Sequence, residues 1–149
     1  MGVINSSLGC ISWITAAGAV LDAAALAISA LDIPYTAQAA LCIRAGFIAL
    51  RRIADVFGIA YPADPRYPEQ PISVRRDEFD AVCDRLAAEG VPLKSDRDQA
   101  WLDFAGWRVN YDTVLLALCS ITMAPPAAWS SDRAPAFRTP AVFAKRPLK

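Results

Sequence analysis

The sequence contains no histidine among its 149 residues. Histidine is the commonest general base and the commonest metal ligand, so this absence excludes the usual Ser-His and Cys-His nucleophile pairs. The seven glycines stand singly and form no phosphate-binding loop. We therefore expect a protein that is not an enzyme and binds no cofactor or metal. An enzyme that uses carboxylates is the alternative, and its candidate residues are Asp22, Asp55, Asp103 and Asp112.

Cysteine is present, but in a pattern that does not suit a metal site or a redox pair. The four residues, Cys10, Cys42, Cys83 and Cys119, are far apart and form no C-x-x-C motif. Each has apolar neighbours, which is typical of small buried thiols in a reducing compartment. The cysteines therefore predict a cytoplasmic protein without a zinc site.

Charge is balanced overall but unevenly distributed along the chain. The formal net charge is zero, so there is no basic field of the kind that nucleic-acid binding requires. Before Arg44 the charged residues are Asp22 and Asp32, whereas every charge after Asp132 is positive. The pattern predicts an almost neutral first third, a charged middle and a basic C-terminal tail.

Apolar residues recur at helical spacing in four segments, which predicts an all-α bundle of about four main helices. The predicted helices cover residues 10–31, 36–58, 73–89 and 95–123. Four prolines in AYPADPRYPEQP predict an irregular, Pro-rich connector between the second and third helices. The length fits a single helical domain over residues 1–132, followed by a disordered basic tail over residues 133–149.

Polar residues mark the expected starts of the last two helices. Ser73 is the predicted cap of the third helix, and Ser95 with Asp98 matches a capping box for the fourth. The largely apolar stripe of the fourth helix then runs almost without interruption to Thr122, and the helical pattern continues to Met123, with Gly106 as a candidate site for a kink.

The first segment, residues 10–31, is long and apolar enough to cross a bilayer. A carboxylate at its centre, Asp22, opposes insertion by roughly 2.5–3.5 kcal/mol on insertion scales. Two alternatives therefore stay open. One is a helix buried in a bundle, and the other is a small integral membrane protein in which residues 10–31, with or without residues 36–58, span the membrane.

Arg108 is the most informative charged residue, because it lies on the apolar stripe of the fourth predicted helix. Its guanidinium needs a carboxylate, and Asp112 lies one turn later. Asp22 is a distant candidate, since the neutral first helix offers it no cation. We expect a structural polar network of Asp22, Arg108 and Asp112. The alternative is that Arg108 extends to water beside Asp112.

Two blocks, SWITAAGAVLDAAALAISAL and RVNYDTVLLALCSITMAPPAAWSSD, occur in this order on either side of LRRIADVFG. Together they resemble the C-terminal region of bacterial two-transmembrane, potassium-channel-like membrane proteins. The resemblance implies a cytoplasmic helical domain that follows a pore module. No pore helix or TVGYG-like selectivity filter is present in this sequence, so the chain cannot conduct ions by itself.

These features predict a non-enzymatic regulatory or assembly domain that is cytoplasmic and membrane-associated. A stripe of small residues on the first helix, including Thr15, Gly18 and Asp22, predicts self-association or a membrane-protein partner through that helix. Contact of the basic tail with an acidic membrane surface is the alternative to a plain unstructured terminus, which we favour. Nucleic acid is not an expected partner.

Overall fold

The computed structural model describes residues 12–136, and these residues form an all-α bundle. Within them are five α-helices and a short 3-10 turn. The elements are α1 (Trp13–Ala30), α2 (Ala37–Val56), α3 (Arg76–Ala88), α4 (Arg97–Arg108), α5 (Asp112–Ile121) and the 3-10 turn Ser131–Arg133. The all-α prediction is confirmed.

The first helix is central to the packing, because it contacts α2, α4 and α5. Its buried residues, which include Ile14, Leu21 and Ala25, recur three to four positions apart on one face. Two glycines allow close approach: a Cβ atom at Gly46 of α2 would lie 2.4 Å from the Leu21 side chain, and one at Gly18 would lie 3.1 Å from Leu115. The α1–α2 pair is therefore tightly packed at its centre.

An aromatic cluster joins α3 to α4. The Phe79 ring lies 5.4 Å from Trp101 and 5.2 Å from Phe104, measured between ring centroids. Trp129, after α5, packs 5.6 Å from Phe104. Aromatic pairs at these distances add to the stability that comes from burial alone. Helix α3 thus packs against α4 through the apolar residues of its inner face, while its charged residues form ion pairs at the surface.

The continuous helix predicted over residues 95–123 is wrong, because the chain turns at residues 109–111 between α4 and α5. The Asn110 side-chain amide donates to the carbonyls of Gly106 and Trp107, at 2.9 and 3.3 Å. Arg51 of α2 donates to the Asn110 carbonyl at 3.1 Å. Gly106 itself lies inside α4, so the break arises from local side-chain capping and from α2 rather than from a glycine.

Both predicted caps also need correction. The N-cap of α4 is Asp96, whose carboxylate accepts from the Gln99 backbone N–H at 2.9 Å, and not Ser95. Helix α3 begins at Arg76, and the backbone N–H of Arg75 donates to Glu78 at 2.8 Å. Ser73 precedes that helix and is engaged elsewhere, as described below.

The predicted tail does not begin at residue 133. Arg133 closes the 3-10 turn and donates to the Ser73 carbonyl at 2.8 Å and to the Glu78 carboxylate, also at 2.8 Å. Residues 137–149, which make up most of the predicted disordered tail, lie outside the described residues, as does Cys10. Of the other cysteines, Cys83 and Cys119 are buried, but Cys42 is exposed, contrary to expectation.

Candidate functional site: a buried arginine and an uncharged groove

Arg108 is at the centre of a buried polar network. Its side chain has no exposed surface, and its guanidinium donates in three directions. The Nε atom donates to Asp112 at 2.7 Å, one terminal nitrogen donates to Asp22, and the other donates to the Trp129 carbonyl. The structure therefore brings together all three residues of the expected network and adds a backbone carbonyl to them.

The two carboxylates have further donors. The Tyr111 hydroxyl donates to Asp22 at 2.8 Å, and the Arg108 guanidinium lies 5.1 Å from the centre of the Tyr111 ring. Ser73 donates to Asp112 twice, from its hydroxyl at 2.7 Å and from its backbone N–H at 3.0 Å. The network thus links α1, α4, α5, the connector before α3 and the segment after α5.

Charge within this network is unequal, with two carboxylates against one guanidinium. Burial raises the pKa of the Asp22 carboxyl, although Arg108 and Tyr111 oppose that change. Burial also raises the pKa of the Tyr111 hydroxyl, and Asp22 adds to the increase. For Arg108, burial lowers the pKa, but the neighbouring carboxylates outweigh it and the pKa rises. Burial therefore favours the protonated form of Asp22 more than that of an ordinary exposed aspartate.

The geometry favours a structural role for the network. Asp22 and Asp112 expose only 7% and 6% of their surfaces, and Arg108 exposes none, so their side chains are directed to one another rather than to solvent. Asp55 accepts from the Tyr61 hydroxyl and Asp103 accepts from the Gln99 amide, each in a separate surface contact. Asp22 and Asp112 thus share Arg108, whereas Asp55 and Asp103 each have a different partner. Within residues 12–136 no group of three or more potential metal ligands comes together.

A second feature lies on the outer side of α1 and α2. The two helices border an open groove of about 510 Å³ whose eleven lining residues are all uncharged. Trp13 and Val20 lie on its α1 side, Cys42 and Ala49 lie on its α2 side, and Leu21 lines it near Gly46. A helix surface that faces water normally includes charged residues, so this face is unusual.

Exposed apolar side chains concentrate in the N-terminal part of the described region, and Trp13 and Val20 among them line the groove. Nine large hydrophobic residues of the described region are exposed, and seven of them lie between residues 13 and 56. The seven are Trp13, Val20, Ile33, Tyr35, Leu41, Ile48 and Val56. The charged residue of α1 is Asp22, which turns inward to Arg108, so the outer surface of α1 has no charge. We refer to the outer surface of α1 and α2 around the groove as the α1–α2 face.

No protein-family model, curated protein or solved structure matches this chain. Helix α1 is long and apolar enough to cross a membrane by length and composition, with a mean hydropathy of 1.6 over its 18 residues. Buried core helices of soluble proteins meet the same criterion, so the length and composition of α1 do not distinguish a membrane span from a buried helix. The functional argument therefore rests on the Arg108 network and the α1–α2 face.

Sequence reasoning located the charged members of the network but not its neutral ones. Tyr111 lies on the same stripe as Arg108, and that spacing was the available signal for its role. No sequence pattern predicts the roles of Ser73 and the Trp129 carbonyl, because their contacts depend on how distant loops fold. Two members of the small-residue stripe are buried within this chain, because Gly18 packs against Leu115 and Asp22 bonds to Arg108, whereas Ala19 of the same stripe is exposed. The exposed apolar face lies on the opposite side of the same helix.

Proposed function

We propose that this chain is a non-enzymatic assembly domain that binds another helical surface through the α1–α2 face. The observation that carries the proposal is the uncharged, concave groove between the two helices. Exposed apolar patches on soluble domains mark interaction sites, and amphipathic helices commonly bind in apolar grooves. The function is then to hold a partner, and the resemblance to channel-like proteins suggests a cytoplasmic domain beside a membrane protein.

The Arg108 network supports this function by positioning α1. Asp22 lies on the inner side of α1, and its bonds to Arg108 and Tyr111 come from residues at the α4–α5 turn. A helix that is tethered at its centre presents its outer surface in a fixed orientation. Preorganisation of this kind lowers the entropic cost of binding, which otherwise opposes association.

Site-specific photo-crosslinking in cells that express the chain tests the proposal. A photoreactive amino acid at position 20 or 49 is expected to form an adduct of defined mass, because both positions lie at the groove. The matched control is position 102, where Leu102 is 49% exposed, close to the 55% of Val20, but belongs to α4. Equal labelling from positions 20 and 102, or no adduct from either groove position, would contradict a binding role for this face.

The length and composition of α1 favour a second candidate function, that of a small integral membrane protein. In that arrangement α1, with or without α2, leaves the bundle and spans the bilayer. The cost is specific: Asp22 loses Arg108 and Tyr111 and enters hydrocarbon, where an aspartate costs roughly 2.5–3.5 kcal/mol. We favour the assembly domain because the bundle satisfies this carboxylate and the bilayer does not.

A further inference from the structure

The α1–α2 face contains both halves of a helix–helix contact. Trp13 and Val20 expose 51% and 55% of their surfaces beside the groove, while the small residues Ala45, Gly46 and Ala49 line its α2 side. Ridges on one helix pack into grooves on another. A two-fold symmetric interface requires one surface to supply both, since each copy contacts the same surface of its partner.

Building on the proposed function, we propose that the partner of the α1–α2 face is the same face of a second copy of this chain. The two hairpins of α1 and α2 then form four helices around the paired grooves. Trp13 and Val20 of each copy enter the groove of the other, so the dimer buries the apolar side chains that the isolated chain exposes.

Electrostatics permit this arrangement. Two copies that meet through one face bring identical residues close together, so any charge on that face would meet a like charge. The groove lining is uncharged, and the outer surface of α1 has no charged side chain. The exposed arginines of α2, Arg44 and Arg52, lie outside that lining. A dissimilar acidic or basic partner would find no charge of opposite sign in the groove.

The size of the face fits a weak, reversible dimer. Helix α1 has 18 residues, which corresponds to a length of about 27 Å, and two packed helices are about 20 Å wide. Such a face buries on the order of 1,100 Å² over both copies, near the lower limit for a specific interface.

The shape and composition of the face favour a helix over a lipid surface. Side chains from a facing helix can enter the groove of about 510 Å³ and fill it at the packing density of a protein interior. Alanine at Ala16, Ala17, Ala45 and Ala49 contributes little to bilayer insertion, but it allows two helix backbones to approach closely.

Analytical ultracentrifugation of the full chain tests the inference. We expect a reversible monomer–dimer equilibrium at concentrations on the order of 100 µM or below. Val20→Glu and Ala49→Glu should each weaken the dimer by about tenfold or more, because each buries an unpaired carboxylate. Leu102→Glu adds the same charge on α4 and should leave the equilibrium unchanged. Circular dichroism melting of all four proteins verifies that the variants remain folded.

The outcomes separate this inference from the proposed function. If the chain is monomeric over the whole concentration range but still forms adducts from position 20 in cells, a second copy is not the partner. The binding role of the α1–α2 face then stands. A dimer that survives both groove substitutions would also overturn the inference, because another surface then holds it. A monomer without such adducts would contradict both proposals.

Discussion

At the scale of single residues, Arg108 shows why arginine and lysine are not equivalent. A guanidinium presents five N–H donors in a rigid plane, and Arg108 uses three nitrogens on three acceptors in different segments. A lysine ammonium is a point charge on a flexible stem and cannot hold these acceptors in one plane. The residue therefore positions parts of the chain that are far apart in sequence.

We expect Arg108→Ala to lower the free energy of unfolding by about 3–5 kcal/mol, because it leaves buried carboxylates without their cation. Arg108→Ala combined with Asp22→Ala should recover part of that loss, since the carboxylate is removed as well. Denaturant titration of the single and double variants measures the coupling. Arg66→Ala is the control, because Arg66 pairs with Asp64 at the surface and should change stability by less than about 0.5 kcal/mol. Strictly additive effects would rule out the coupling.

Asp22 should also give the stability a specific pH dependence. Burial raises its folded-state pKa above the ordinary value of 3.8 that it regains on unfolding. Between these two values the folded chain binds more protons than the unfolded chain, so the free energy of unfolding falls as the pH rises through that window. The side chain at position 22 of the Asp22→Asn variant does not titrate. The free energy of unfolding of this variant minus that of wild type should therefore increase with pH within the window.

Parallel denaturant titrations of wild type and Asp22→Asn from about pH 3 to about pH 7 cover this window. Titrating groups outside the Arg108 network, including Glu78 with its pKa lowered by Arg133, are common to both proteins and cancel in the difference. A difference in stability that does not change with pH would show that burial does not raise the Asp22 pKa.

At the scale of elements, the sequence predicts a helix reliably where the apolar period and a strong terminator agree. Helix α2 was expected to end near Gly58, and it ends at Val56 with Gly58 in the left-handed region at a φ of 65°. The α4–α5 turn has no such terminator, because the sequence Val109-Asn110-Tyr111 lacks glycine and proline. Asn110 and its contact with Arg51 create the turn, and that contact exists only in the folded bundle.

Two helical glycines provide a matched test of element packing. An added methyl group at Gly106 meets no atom within 4 Å, so Gly106→Ala should stabilise the chain by about 0.5–1 kcal/mol through helix propensity. At Gly46 the same group would lie 2.4 Å from Leu21, and overpacking of about 1–3 kcal/mol should exceed that gain. Thermal melting should therefore show shifts of opposite sign. Stabilisation by both substitutions would mean that α1 and α2 are not in close contact at Leu21.

At the scale of the whole molecule, charge is segregated, and Arg108 joins the two parts. The N-terminal helices supply most of the exposed apolar surface, while α3 and α4 carry surface ion pairs such as those of Arg76 and Arg97. The distribution of charges along the sequence predicts this division, and the helical spacing of apolar residues predicts the helical class. Neither pattern predicts which side of α1 faces out, because alanine and small polar residues lie on both sides and give a weak periodic signal. Only packing against α4 and α5 decides the orientation.

That orientation leads to the last prediction, which separates a bundle from a membrane span. If α1 stays in the bundle, Asp22 keeps Arg108 and Tyr111, and the chain needs no lipid to satisfy its buried charge. We expect the chain expressed without detergent to remain in solution and to unfold in one cooperative transition. In cells, alkaline carbonate should release it from membranes, because contact through a surface face leaves no segment in the hydrocarbon core. Retention in the carbonate-washed membrane pellet, with release by detergent, would instead establish α1 as a span and refute the bundle as the working state.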